Sequence, residues 1–229
     1  MLAIMCAMKG EADVILNRME NPITQRVAKA MYYYGKLNGT PVVVAITHPG
    51  KVNAAASATW LCYDCRIKGI LNLGVAGALT HELRQGDVVL PLNVVQSDID
   101  TTAVGDPPGL VSGLNVQKFP MSEEFRGVSS AILNQKQHQT RIAYLCTTSD
   151  KFVSSPDEKM ELHEKWMASI CDMEAGAIAQ VCHMFDMPFM TAKVVSDSLS
   201  GGSKEYKEFM KEAPEIIADI AALAVENGW

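Results

Sequence analysis

Ile170-Cys171-Asp172-Met173-Glu174-Ala175 and Phe189-Met190-Thr191-Ala192-Lys193-Val194-Val195-Ser196-Asp197 decide how this chain folds. Ile170–Met173 and Met190–Val195 are short apolar runs that read as buried strands. The segment between them, Ala175–Phe185, reads as a helix. Strand, helix and strand in so short a span give an α/β unit. Each strand also runs into an acid, Glu174 or Asp197. Carboxylates are rarely placed at the end of a buried segment without a partner or a task.

The same alternation extends in both directions. Leu2–Ala7 reads as a first strand and Glu11–Met19 as a helix. Ala30–Leu37 and Val42–Thr47 flank Asn38-Gly39, a hairpin signal. Lys51–Arg66 is an alanine-rich helix after the breaker Pro49-Gly50. Gly69–Leu73 is a buried strand running into Gly74-Val75-Ala76-Gly77-Ala78, and Asp87–Val95 is another. Residues 97–120 read as a long excursion, a kind of segment that often carries function. Ser122–Gln135 is a helix, Arg141–Thr147 a strand, and Pro156–Ala168 a helix opened by Ser155 with Glu158 three residues on. Lys204–Glu226 is the last helix, which Pro214 breaks or kinks. The pattern predicts one domain over residues 1–229, with a mixed or mostly parallel sheet and helices on both faces.

The bulk composition excludes several classes. The chain has 229 residues, a formal net charge of -6 and a pI near 5.4. A nucleic-acid binder normally shows a basic face, so none is expected. No apolar run is long enough to span a bilayer. The apolar start lacks a basic leader and soon meets Lys9 and Glu11, so a cytoplasmic protein is expected. The six cysteines lie mostly in apolar runs and read as core residues. Cys62-Tyr63-Asp64-Cys65 stands alone, which speaks against zinc and against a redox pair. A dinucleotide fold fits poorly, because the glycine fingerprint and its distant ribose-binding acid are both missing.

In open α/β sheets, ligands sit at the carboxyl ends of strands. Glu11, Gly74–Gly77, Phe152, Glu174 and Asp197 all follow strand ends and can converge there. Chemistry at a sugar carbon needs one group to hold hydroxyls and one to protonate a leaving group. Acids at strand ends can supply both. Each also has an ordinary reading. Glu11 can be a first-turn helix acid, Glu174 a cap, and Asp197 a turn residue. Phe152 can be a core aromatic.

The ordered motifs resemble the nucleoside phosphorylase/nucleosidase superfamily, and most closely the bacterial 5'-methylthioadenosine/S-adenosylhomocysteine nucleosidases. They are Ala7-Met8-Lys9-Gly10-Glu11, Gly50-Lys51-Val52-Asn53-Ala54-Ala55, Asn72-Leu73-Gly74-Val75-Ala76-Gly77, Gly86-Asp87-Val88-Val89, Asp98-Ile99-Asp100-Thr101-Thr102-Ala103, Asp172-Met173-Glu174-Ala175 and Val195-Ser196-Asp197. The resemblance implies a three-layer α/β/α sandwich with a mixed central sheet. It implies a homodimer that cleaves the N-glycosidic bond of a purine nucleoside, with no metal and no organic cofactor, in methionine salvage.

Carried over, Asp197 would protonate the purine at N7 and Ser196 would help orient it. Glu174 would hold ribose hydroxyls, with Met173 against the sugar. Phe152 would stack on the base, and the Val153 backbone would meet the base edge. Glu11 would act on the attacking water, Tyr206 would close over the site, and Val75 and Ala76 would line it. Such an allocation asks one acid to hold its proton near neutrality while the others stay ionised.

The turn carrying Glu11 and the segment Asn72–Ala78 lack the arginines that bind phosphate in the sister phosphorylases. Water is therefore the expected nucleophile. Lys9 is the one nearby cation that could meet a phosphate. The chain departs from the nucleosidase pattern at Val75, where a serine is usual, and at Asp172, where a glutamate is often found. Val104 replaces an aromatic, and the loop Asp106–Gly109 also differs. These departures leave open the 5' substituent, so futalosine and other purine nucleosides remain alternative substrates.

Overall fold

The computed structural model describes residues 1–228. The strands are β1 (Leu2–Cys6), β2 (Glu20–Val27), β3 (Ala30–Leu37), β4 (Thr40–Ile46), β5 (Gly69–Ala78), β6 (Val88–Gln96), β7 (Phe119–Pro120), β8 (Thr140–Thr148), β9 (Ile170–Asp172) and β10 (Phe189–Asp197). The helices are α1 (Lys9–Arg18), α2 (Lys51–Tyr63), α3 (Arg126–Asn134), α4 (Pro156–Trp166), α5 (Ala175–Met184), α6 (Ser203–Phe209) and α7 (Ala213–Glu226).

One mixed sheet runs β2-β3-β4-β1-β5 and then continues through β9, β8 and β6 to β10. β10 pairs in parallel with β5 as well as antiparallel with β6, so five strands close into a ring. β1 is apolar along its whole length and fully buried, as a strand covered on both faces must be. Helices α1, α3 and α7 share one core cluster with the sheet, while α2 and α5 share the other. The result is the expected α/β/α sandwich with a mixed central sheet.

The departures have local causes. β2 was not expected, because its residues are almost all exposed and include Pro22. It is an edge strand held by backbone pairing to β3, and it has no apolar alternation to betray it. The hairpin between β3 and β4 turns on Asn38 at φ 48° and Gly39 at φ 76°, the left-handed pair of a type I′ turn. The final helix is two helices. α6 ends at Phe209, and Pro214 sits in the first turn of α7, where its missing N–H costs nothing. The excursion contains a short 3-10 turn at Thr102–Val104 and the small strand β7. Among the described residues no helix is long and apolar enough to cross a membrane.

Closure of the ring matters for the site. β9 runs antiparallel to β5, with Cys171 opposite Gly77, and Asp197 also pairs with Gly77. The carboxyl ends of β9 and β10 therefore meet over the far end of β5, although β9 and β10 do not run in the same direction. The convergence expected at one rim of a parallel sheet is produced instead by the sheet folding back on itself.

Candidate active site

β1 leads into α1 at Met8, so Glu11 falls in the first helical turn and its side chain turns back toward the strand. Its Oε2 accepts the Met8 N–H at 2.9 Å, and its Oε1 accepts the Val75 N–H at 3.1 Å. The first bond is the helix-capping role, and the second ties the acid to β5. Gly74 leaves room for it, since a methyl group there would lie 2.7 Å from Oε1. Burial raises the pKa of Glu11, against the opposing charge of Lys193 and the backbone N–H groups.

Glu174 stands at the start of α5, and its Oε1 accepts the Gly50 N–H at 2.9 Å. Gly50 has φ 99°, a left-handed conformation that suits glycine at this turn into α2. Burial and then the negative charge of Asp172 push Glu174 up to about 7, while Lys193 pulls the other way. The acid expected to be a plain carboxylate against the ribose therefore sits in surroundings that favour its proton.

Asp172 is satisfied by its surroundings. Thr148 Oγ1 donates to its Oδ1 at 2.5 Å, the Ala175 N–H donates to its Oδ2 at 2.9 Å, and Lys193 Nζ lies 2.8 Å from Oδ2. For Lys193 burial acts to lower the pKa, but Asp172 and Glu174 outweigh it and hold the ammonium charged. One buried cation thus serves the cluster of Asp172, Glu174 and Glu11.

Asp197 ends β10 with a different set of partners. Ser196 Oγ is 2.6 Å from its Oδ1 and 3.2 Å from the Ala76 carbonyl oxygen. Lys159 Nζ donates to its Oδ2 at 2.6 Å. Gly77 lies alongside, where a methyl group would come within 3.3 Å of Oδ2.

These acids open on one cavity. Glu11, Val75, Ala76, Phe152, Val153, Met173, Glu174, Ser196, Asp197 and Tyr206 all line it. Phe152 and Tyr206 meet edge to face with ring centroids 5.2 Å apart, and the Tyr206 hydroxyl is 3.3 Å from Met8 Sδ. The three nearby carboxylates and its own burial, the larger effect, raise the Tyr206 pKa.

Other sequence candidates lie elsewhere. Lys9 is largely exposed and pairs with Asp13 at 3.8 Å. Val104 is 81% exposed on the 3-10 turn, away from the residues lining the cavity.

Two residues that sequence reasoning passed over complete the electrostatics. Lys193 had a visible signal, a lysine in the middle of an otherwise apolar strand. Lys159 had none, because α4 is polar along much of its length and only the tertiary packing buries this side chain.

The chain matches the phosphorylase superfamily over residues 1–226. It is 32% identical over 222 residues to a 5'-methylthioadenosine/S-adenosylhomocysteine nucleosidase of Staphylococcus haemolyticus, covering 96% of each chain. The Bacillus subtilis protein of the same name is 30% identical over 214 residues, covering 93% of this chain and 92% of the other. Among solved structures, the Neisseria meningitidis nucleosidase of that name, bound to methylthio-immucillin-A, superposes with a TM-score of 0.92 at 29% identity, covering 98% of each chain. A futalosine hydrolase of Helicobacter pylori shares the fold, with a TM-score of 0.91 at 22% identity, covering 98% of this chain and 97% of that one.

Proposed function

This chain belongs to the phosphorylase superfamily, and on that premise we propose that it hydrolyses the N-glycosidic bond of purine nucleosides, with 5'-methylthioadenosine and S-adenosylhomocysteine as its substrates. The observation that carries the reading is the meeting of Glu11, Glu174 and Asp197 on one cavity, each held by a different set of donors.

Breaking C1'–N9 builds positive charge on the ribose and negative charge on the purine. Asp197 relieves the second by giving a proton to N7, oriented by Ser196. The O–H bond of Asp197 breaks as the N7–H bond forms, and the C1'–N9 electron pair leaves with the base. Water attacks C1', and Glu11 takes its proton. A carboxylate with a raised pKa is the better base near neutrality. Glu174 in its ionised form accepts the ribose hydroxyls and eases the charge on the sugar ring. Met173 packs on the sugar, Phe152 stacks on the base beside the Val153 backbone, and Tyr206 covers the entrance with Phe152. Val75 and Ala76 form the floor along β5. This chemistry needs no metal and no organic cofactor.

Water is favoured over phosphate as the nucleophile. No arginine is among the described residues that line the cavity, and Lys151, the cation at its edge, is paired with Glu158 at 2.5 Å. A phosphate would face Glu11 without the bidentate donors such an anion needs.

The reading includes a cytoplasmic homodimer acting in methionine salvage. Val52 and Val104 leave apolar surface open on α2 and the 98–109 loop, which Lys51 and Asp98 join at 2.7 Å. A second copy of the chain would cover it, and sedimentation analysis tests this.

The deciding experiment is base release from methylthioadenosine, S-adenosylhomocysteine, adenosine, inosine and futalosine, with and without phosphate. Release of adenine from the first two, unchanged by phosphate and yielding a free sugar, is expected. Strict phosphate dependence would make it a phosphorylase. No release from any substrate would end the enzyme reading.

A further inference from the structure

Lys159 is buried completely, lies on α4, and is not among the residues lining the cavity. Its ammonium donates to Asp197 Oδ2 at 2.6 Å, to the Ser198 carbonyl at 2.6 Å and to the Gly201 carbonyl at 3.1 Å. An ammonium has three N–H donors, so each has an acceptor. Two of those acceptors belong to the segment that follows Asp197, so the loop after β10 is wrapped around this one cation.

That loop is fixed by other contacts as well. Glu205 accepts the Ser198 N–H at 2.8 Å. A methyl group on Gly202 would lie 2.9 Å from the Ser154 carbonyl oxygen, so the loop packs directly against the chain leaving Val153. α4 begins just after Phe152 and Val153, the expected base wall. Lys159 therefore joins the wall that meets the purine to the acid that would protonate it.

We propose that Lys159 is a positioning residue for this proton donor, holding Asp197 toward the purine and stabilising the carboxylate that Asp197 becomes as its proton passes to N7. The inference rests on the purine nucleosidase reading above. While Asp197 is neutral, Lys159 gains only a charge–dipole contact with it. As the O–H bond breaks and the N7–H bond forms, that contact becomes an ion pair at 2.6 Å in a dry site. The interaction strengthens along the reaction coordinate and requires no reorganisation at the moment of transfer. The ammonium thus biases the shared proton toward N7 and lets the base leave protonated. Its own protons stay where they are, and no other reactant is needed.

Lys159→Gln and Lys159→Arg test this in the full-length enzyme. Lys159→Gln is expected to lower kcat about a hundredfold, the usual scale for one preorganised donor, with KM changed only a few-fold. Lys159→Arg keeps the charge and should recover part of the loss.

Two nucleoside analogues separate a positioning role from a structural one. A 9-deazapurine analogue carries a hydrogen on N7 that bonds the Asp197 carboxylate. A 7-deazapurine analogue has C–H in place of N7 and makes no such bond. In Lys159→Gln, affinity for the first should fall at least about tenfold, while affinity for the second stays within about threefold. Equal weakening of both would make Lys159 structural only, and kcat within threefold of wild type would also overturn the proposal.

If Lys159→Gln does not fold, the wild-type enzyme still answers. The Lys159 side-chain ¹⁵N resonance should move on binding the 9-deaza analogue and not the 7-deaza one, and identical responses would sink the idea. Asp197→Asn serves as the control. If its turnover stays within tenfold of wild type, Asp197 is not the acid and the mechanism on which this proposal rests fails. If it is inactive while Lys159→Gln turns over normally, only the Lys159 assignment fails.

Discussion

Lys193 Nζ lies 2.8 Å from Asp172 Oδ2, and both side chains are shut off from solvent. Asp172 also takes bonds from Thr148 and Ala175, so the pair is fully coordinated on its acidic side. Removing one partner of a buried pair leaves an uncompensated charge. Lys193→Met should therefore destabilise the fold by about 3–5 kcal/mol, measured by urea unfolding. Replacing Lys193 and Asp172 together by apolar residues should return only part of that loss, since Glu11 and Glu174 lose their cation as well. A single variant as stable as wild type would show that the cation is not needed.

Glu174 gives a pH signature of its own. An unperturbed glutamate titrates near 4.5, and here burial and then the charge of Asp172 push it up to about 7. Between those values the folded chain binds more protons than the unfolded chain, so this group's contribution to stability falls as pH rises through the window. Glu174→Gln stays neutral and keeps an acceptor for the Gly50 N–H. It should be more stable than wild type by about 2–3 kcal/mol near pH 8, and no more stable near pH 4. Thermal unfolding at the two pH values checks this. A stability difference independent of pH would contradict it.

The same variant should lose activity. Holding ribose hydroxyls needs acceptor capacity and negative charge, and glutamine offers one acceptor and no charge. The expected result is a large drop in kcat/KM alongside the gain in stability, the trade expected where a functional site carries strained electrostatics. Steady-state base release on the preparation used for unfolding is the measurement.

Asp197→Asn should lose at least about two orders of magnitude in turnover and still bind a purine ligand, since the shape of the cavity is unchanged. Base release and a binding titration run side by side decide it. Turnover within tenfold of wild type would remove Asp197 from the role of acid.

Gly74→Ala tests the placement of Glu11 without touching it. The added methyl would lie 2.7 Å from Glu11 Oε1, closer than any real contact of that kind. The carboxylate must move, and its bond from the Val75 N–H is the first to be lost. We expect kcat to fall about tenfold or more while ligand affinity holds, because the displaced group faces the water rather than the base. Unchanged kcat would place Glu11 outside the chemistry.

Much of this architecture could be read along the chain because burial imposes a period. β1, β10 and α5 are apolar where they pack, and their boundaries are marked by Pro, Gly or acid residues. β2 was missed because an exposed edge strand takes its stability from backbone pairing, which leaves no side-chain pattern. Glu11, Glu174 and Asp197 were legible as acids at the ends of apolar segments. Lys193 was legible in principle, as a charge inside a buried strand. Lys159 was not, because its burial comes from the loop at Ser198–Gly201 closing over a polar helix.

By itself the sequence determined the α/β alternation and the acids available for chemistry at a sugar–base bond. These follow from local hydrophobic period and from the residues that interrupt it. Only the tertiary structure decided how those acids differ. Ring closure of the sheet brings antiparallel β9 and β10 to the same end of β5. Burial there raises Glu11 and Glu174, one lysine balances these two acids and Asp172, and another is committed to Asp197. Proton affinity depends on solvent exclusion and on charges a few ångströms away, and both are set by residues distant along the chain.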